Sequence, residues 1–348
     1  MEDVAIYGEV ETYTKGDYWA RKSNTPDRKF IFSPSFQIGQ KAYVFTHNRT
    51  GGEIQELWEY DSLLDRWTYK LSSPNESRFK AAGFAINGKG YIAYGEGGTN
   101  GPHEDMLEYD PNDMSNGLDT NGNPAGSFTL KEIPQPGGQK EKATAISIDN
   151  RVFYGWGVIF SPKVIHYKDF WEYLPNDLSN GYDANGNPNG AWERKADFPG
   201  DARYGVGAIG YNGKIYQFFG ASEGWNSKAK EVYAYDIESD NWTKKTSAPG
   251  NNRVSPVVFL SKNKIYAGFG SGGHSIEFWS FDPEDTSNGF DSDNNPLGTW
   301  REVSGFAGGP RDAPGYFQID NKAYLVGGED PDSDDYFTET WEYVADEF

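Results

Sequence analysis

The 348-residue chain contains no cysteine, only four histidines and three methionines. It also lacks any apolar run of the 18 or more residues that a membrane-spanning helix takes. Without cysteine there is no disulfide framework, no thiolate zinc or iron–sulfur site and no cysteine nucleophile. Basic residues are scarce: 32 Lys and Arg face 52 Asp and Glu, a formal charge of −20. That surplus repels phosphate backbones and anionic lipid, which argues against nucleic-acid and membrane partners. The opening MEDVAIYGEVETY has neither the basic nor the apolar segment of a secretory leader, so no leader is expected in this chain. Helical periodicity is almost absent as well.

Glycine and aromatic residues abound instead, with 42 Gly, 11 Trp, 23 Tyr and 22 Phe. So many aromatics oppose a disordered acidic chain, because disorder goes with few of them. They recur in order. An apolar run, a short Asn/Gly/Lys turn and a second apolar run with an aromatic appear six times: SFQIGQKAYVF, GFAINGKGYIAYG, AISIDNRVFYGWG, AIGYNGKIYQFFG, VVFLSKNKIYAGFG and YFQIDNKAYLVGG. Each reads as a β-hairpin. A third strand follows at 56–61, 105–110, 169–174, 231–236, 277–282 and 339–344, and a fourth centres on Trp67, Phe128, Trp192, Trp242 and Trp300 in five repeats.

One four-stranded sheet cannot bury both its faces, whereas six arranged radially bury each face against a neighbour. The expected fold is therefore all-β, a six-bladed propeller. Its blades fall at about 29–74, 75–136, 137–199, 200–250, 251–309 and 310–348 plus 16–28, preceded by residues 1–15 as a tail or edge segment. The sixth repeat has no fourth strand of its own, and the N-terminal DYWARKSNTP supplies an orphan one. Ring closure by the segment around Trp19 follows.

The repeat also has a family likeness. VYAYDIESDNW, Val232 to Trp242, with a glycine pair after the second strand at Gly97-Gly98 and Gly327-Gly328, resembles the kelch repeat, and the resemblance covers residues 17–348. The pair is reduced at Phe219-Gly220 and Phe269-Gly270, and Phe128 stands where other repeats have Trp. KDFWEY and ERKADFPGDARYG resemble bacterial secreted or surface kelch proteins, which implies an extracytoplasmic address with the leader outside this chain. The resemblance further implies a binding surface on the face that carries the loops between strands two and three. Two enzymes share the kelch fold. Galactose oxidase needs a tyrosine cross-linked to cysteine, which this chain cannot form. N-acetylneuraminate epimerase acts on an anionic sugar, for which an arginine-lined funnel is suited.

Three constellations are candidates for chemistry. Near-identical insertions, DPNDMSNGLDTNGNPAG, LPNDLSNGYDANGNPNG and DPEDTSNGFDSDNNPLG, separate strands three and four of blades two, three and five. Each carries alternate oxygen-bearing side chains: Asp119, Asn121 and Asn123; Asp183, Asn185 and Asn187; Asp291, Asp293 and Asn295. Upstream lie Asp113, Asp177 and Asp285. Such spacing suits Ca²⁺, yet Asn, Asp and Gly also dominate tight turns for backbone reasons, and the EF-hand glycine and glutamate are missing. Second, Arg78, Lys140, Arg203, Arg253 and Arg311, with Arg28 nearby, recur ahead of the first strands, while Glu56, Asp105, Asp169, Glu231, Glu277 and Glu339 open the third.

These two rings either neutralise each other or leave Arg78, Arg203, Arg253 and Arg311 to bind a carboxylate in the funnel, with Trp225 and His274 beside them. Third, His47, His103, His166 and His274 all fall between strands two and three, at offsets that do not favour a shared metal. Trp156 and Tyr167 share those loops and are candidates to stack on a sugar. The functional expectation is a monomeric, non-catalytic module that binds a protein or glycan and requires no cofactor. The alternative is an epimerase or mutarotase acting on an anionic sugar.

Overall fold

A computed structural model describes residues 17–46, 55–74, 78–97, 101–223, 229–271, 276–303, 305–333 and 335–345. Alternating apolar strands separated by tight turns give six four-stranded antiparallel sheets, and no helix occurs among the described residues. In blade one the strands are Ser35–Ile38, Lys41–Phe45, Glu56–Asp61 and Arg66–Ser72. The hairpins between first and second strands turn through left-handed residue pairs, such as Asn87-Gly88 (φ 54° and 75°) and Asn212-Gly213 (φ 48° and 68°). That geometry matches the twist of paired strands.

The last blade is assembled from both ends of the described chain. Tyr18–Arg21 pairs antiparallel with Thr340–Val344, setting Trp19 opposite Tyr343 and Arg21 opposite Trp341. The ring thus closes through the segment around Trp19. Its indole sits between blades five and six, with edge-on or tilted contacts to Phe259, Phe269, Phe278, Phe306 and Tyr343 at centroid distances of 5.2–6.0 Å.

The core lies between blades rather than inside any one of them. Phe36, Tyr43 and Leu57 of blade one meet Ile92, Leu107 and Tyr109 of blade two, and an equivalent cluster fills each further interface. The strand-four tryptophans reach back to the preceding blade. Trp67 Nε1 donates to Thr340 Oγ1 at 3.0 Å, Trp192 to Tyr94 Oη at 2.7 Å, Trp242 to the Ala196 carbonyl at 2.9 Å and Trp300 to the Thr246 carbonyl at 3.2 Å. Each indole therefore buries a ring and satisfies its N–H in one contact.

The six first strands stand around an axial channel of about 410 Å³. They approach closely: a Cβ on Gly83 would lie 2.5 Å from the Ser35 carbonyl oxygen of the neighbouring blade. Side chains close the strand edges that face the axis. Ser35 Oγ donates to the Tyr316 carbonyl at 2.6 Å, Thr144 Oγ1 to that of Val206 at 2.8 Å and Ser147 Oγ to that of Ala85 at 2.9 Å.

Candidate functional site at the axial mouth

Before each first strand the chain makes one residue in the left-handed conformation: Phe32, Lys80, Lys142, Gly205, Ser255 and Ala313, with φ between 44° and 57°. All six line the channel. Backbone hydrogen bonds run between them around the axis, from Lys142 N to the Lys80 carbonyl (3.3 Å), Gly205 N to that of Lys142 (3.1 Å), Ser255 N to that of Gly205 (2.7 Å) and Phe32 N to that of Ala313 (3.0 Å). Five non-glycine residues held at positive φ cost on the order of 1 kcal/mol each, a strain that clusters at functional sites. Single-residue bridges then tie this entry segment to the segment leaving strand two, as in Phe79 to Glu96, Glu141 to Val158 and Tyr204 to Ala221.

The ring is regular in backbone and irregular in chemistry. Three of the six positions are small, whereas blades two and three place lysines there. Lys80 Nζ pairs with Glu96 at 3.0 Å and, more closely, with Glu141, and it lies 4.7 Å from the Phe79 ring centroid. Lys142 Nζ lies over Phe32 at 4.8 Å and Tyr204 at 5.5 Å. Tyr204 is stacked on His166 at 5.5 Å and meets Phe160 edge-on. His166 and Phe160 come from a small two-stranded flap of blade three, Val158–Ile159 with Ile165–His166. The result is a channel mouth lined by Phe32 and two ammonium groups, with further aromatic rings and carboxylates packed beside them.

Titration behaviour follows from that crowding. Burial, and then the like charge of Lys80, pull the Lys142 ammonium down to about 8, against the attraction of Glu141, Glu96 and Asp312. Burial pushes the Glu141 carboxyl up even though Lys80 opposes the shift. Burial also lowers the His166 imidazole. An acid displaced upward beside an amine displaced downward exchanges a proton more readily near neutrality than either unperturbed group.

The arginines singled out from sequence do not line the channel. Arg78, Arg203, Arg253 and Arg311 are at most 2 % exposed. Arg78 pairs with Asp105, and Arg203, Arg253 and Arg311 reach Glu231, Glu277 and Glu339 at 3.5, 2.9 and 3.1 Å. Lys140 meets Asp169 at 2.6 Å and Arg28 meets Glu56 at 2.7 Å. Each guanidinium of the four also donates to main-chain carbonyls, for example Arg253 to Glu277 at 3.1 Å and Arg311 to Gly327 at 3.0 Å. These pairs join the entrance of a blade to the start of its own third strand. Trp156 is fully buried against Phe170, Phe198 and Trp242 instead of facing solvent. Tyr167 donates to the Gln139 carbonyl at 3.1 Å. The His103 amide donates to the Gly95 carbonyl at 2.9 Å. Trp225, His47 and His274 lie outside the described residues.

The three insertions share one arrangement. Asp119 Oδ1 accepts from the amides of Asn121 (2.8 Å) and Asn123 (3.0 Å), and Oδ2 accepts from Lys70 Nζ of the preceding blade at 2.7 Å. Asp183 and Asp291 repeat this with Lys131 and Lys245, both at 2.5 Å, and with amides of Asn185, Asn187, Asp293 and Asn295. Each lysine also donates to a proline carbonyl: Pro124, Pro188 or Pro296. In each insertion one oxygen of the first aspartate therefore accepts from a lysine ammonium. Asn121 and Asn185 amides reach Thr68 and Thr129 of the preceding blade. Asp113, Asp177 and Asp285 cap their own loops through Ser115, Ser179 and Ser287 amides. Among the described residues no three His, Asp or Glu side chains cluster as a metal site.

Lys80 and Lys142 escaped the sequence reading because they stand two residues past the conspicuous basic ring. A signal was present: in Arg78-Phe79-Lys80 and Lys140-Glu141-Lys142 the third residue is lysine, where blades four to six have Gly205, Ser255 and Ala313.

No protein-family model matches the chain. A 93-residue stretch is 33 % identical to the N-acetylneuraminate epimerase of Pasteurella multocida (strain Pm70), spanning 26 % of this chain and 24 % of that protein. The match therefore spans about a quarter of that relative's length. Among solved structures, that of YjhT superposes with a TM-score of 0.67 at 14 % identity, over 92 % of this chain and 95 % of its own. Together with the blade order and ring closure, that likeness identifies the fold as a six-bladed β-propeller.

Proposed function

We propose that the axial mouth binds a small carboxylate-bearing sugar and interconverts its anomers or epimers, the reaction class suggested by the partial match to N-acetylneuraminate epimerase. The observation that carries the reading is the juxtaposition of Lys142 and Lys80 in the channel lining beside Phe32, with Glu141 paired to Lys80. A channel of about 410 Å³ falls in the range of small-molecule sites, roughly 300–1,000 Å³. Opening a cyclic hemiketal requires removal of the anomeric hydroxyl proton and delivery of a proton to the ring oxygen. Lys142, displaced to about 8, serves as the base in its amine form, and Glu141, displaced upward, serves as the acid. Lys80 offsets the substrate carboxylate, and Phe32, which lines the channel, packs the sugar's apolar face. An extracytoplasmic address, by the kelch resemblance, belongs to the same proposal.

The test is NMR exchange spectroscopy of N-acetylneuraminate anomers with and without protein. The expected result is catalysed exchange, reduced at least 100-fold in Lys142→Met, with binding retained. Binding without catalysed exchange establishes a non-catalytic receptor for the same ligand. Absence of both overturns the assignment of the mouth as an anionic-sugar site.

A further inference from the structure

The six most exposed large apolar side chains among the described residues share one location. They are Leu63 and Leu64 of blade one, Met114 and Leu118 of blade two, and Leu178 and Tyr182 of blade three, each between 54 and 80 % exposed. All six belong to connections between strands three and four of consecutive blades. Strand one starts at the mouth and neighbouring strands run antiparallel, so these connections lie at the opposite end of the ring. They also lie side by side. The blade-two insertion rests on strand four of blade one, where Asn121 Nδ2 donates to Thr68 Oγ1 at 2.7 Å, and the blade-three insertion rests on strand four of blade two through Asn185 and Thr129 at 2.9 Å. Among the described residues of the other half-ring, Phe290 of blade five is the one comparable side chain, and Ile237 of blade four is buried.

These side chains project from fixed turns. Asp61 Oδ1 accepts from the amides of Leu63 and Leu64, both at 3.0 Å, and Leu118 and Tyr182 bridge to Pro124 and Pro188. Ordering them against a partner therefore costs little. Contiguous exposed apolar surface of this kind marks interaction sites. The surrounding charge selects the partner. Residues 61–66, 110–126 and 174–190 contain seven aspartates and one base, Arg66. Asp119 and Asp183 are taken up by Lys70 and Lys131, whereas Asp113 and Asp177 remain half-exposed, capping their loops. Such a surface repels nucleic acid, anionic lipid and, being acidic itself, the same face of a second copy. We propose that blades one to three dock a basic polypeptide whose apolar side chains cover this strip, at the end of the ring remote from the mouth.

The probes are three fluorescent peptides of about 18 residues patterned at the helical period: Leu with Lys, Ser with Lys, and Leu with Glu. The Leu/Lys peptide is expected to bind the full chain at least about tenfold more tightly than either of the others, and more weakly as salt rises. The combined changes Leu64→Ser, Leu118→Ser and Tyr182→Ser weaken it by about tenfold or more with melting unchanged, because exposed side chains hold no core. Phe290→Ser, in the same kind of turn on isolated blade five, leaves binding as it was. Amide exchange slows in 61–66, 110–126 and 174–190 when the peptide is added. Equal binding of the Ser/Lys peptide reduces the surface to its net charge and overturns the proposal. Absence of Leu/Lys binding, binding that survives the triple change, or protection confined to the mouth or to blade five overturns it as well. Dimerisation of the free protein that the triple change abolishes assigns the strip to a second copy instead. None of these outcomes bears on the reading of the mouth.

Discussion

Two regions of this propeller are built from lysine and carboxylate, and they use them oppositely. At the rim, Lys70, Lys131 and Lys245 are nearly inaccessible, and Asp119, Asp183 and Asp291 are equally enclosed. Each ammonium there finds a carboxylate and a carbonyl, so insertion and preceding blade are clamped together. At the axial mouth, Lys80 and Lys142 stand side by side, and their carboxylates are shared. Where a closed site surrounds each ammonium with carboxylate, as Glu59 and Asp119 do for Lys70, the charges hold structure. Where like charges crowd at an opening, the protonation state becomes adjustable.

The comparison is broken most severely at the rim. Lys245→Met leaves Asp291 buried without its cation and is expected to cost about 3–5 kcal/mol of unfolding free energy by chemical denaturation. Adding Asp291→Leu should recover most of that loss. A cost below about 1 kcal/mol for the single change shows that the clamp is not structural.

At the mouth the sign reverses. The native Lys142 releases its proton near 8, an unfolded lysine near 10.4, so between those values the unfolded state binds more protons and stability rises with pH. Below about pH 8 the partly buried ammonium carries its full penalty. Lys142→Met should therefore stabilise the protein at pH 7 by about 1–3 kcal/mol, with the gain fading by pH 10. The groups facing it, Lys80, Glu141, Glu96 and Asp312, stay in place, and the Glu141 carboxyl, which Lys142 helps to hold down, moves further up in the variant. Equal melting of the two proteins at pH 7 contradicts the cost of holding Lys142.

The smallest effect separates the two regions by acid. Burial pushes the Asp119, Asp183 and Asp291 carboxyls up, but the lysines and the amides of their own loops outweigh it and hold all three below the ordinary aspartate value. A lowered carboxyl contributes stability that is full above the unfolded value near 4 and is lost as pH falls through the folded one. Amide hydrogen exchange should show the insertions loosening below pH 4, while the mouth, whose Glu141 carboxyl is raised, changes at higher pH. Simultaneous loosening of both regions contradicts the distinction.

The architecture was legible because a blade repeats. Strand alternation and short turns rich in Asn, Asp and Gly recur in every blade, an aromatic residue marks each fourth strand (tryptophan except at Phe128), and the orphan strand around Trp19 marked the closure that pairs it with Tyr343. The site was less legible for a physical reason. Basic and acidic residues that recur in every blade are conspicuous, but symmetry gives each base its own acid, as with Arg253 and Glu277. Lys80 and Lys142 depart from the repeat and are therefore weak as a pattern. Likewise the Asp-x-Asn spacing was visible, while the lysine that pairs with its first aspartate comes from the previous blade, some 46–52 residues away.

Sequence by itself determined what local rules can determine: strand period, turn chemistry, blade number and the pairing of the chain's two ends. Those depend on residues a few positions apart and on repetition. Only the tertiary structure decided which charges meet. The radial arrangement turns six left-handed residues inward onto one axis and brings Lys142 beside Lys80 over the rings of Phe32 and Tyr204. Proton affinity depends on burial and on neighbours from other blades, and neither is written in the spacing along the chain.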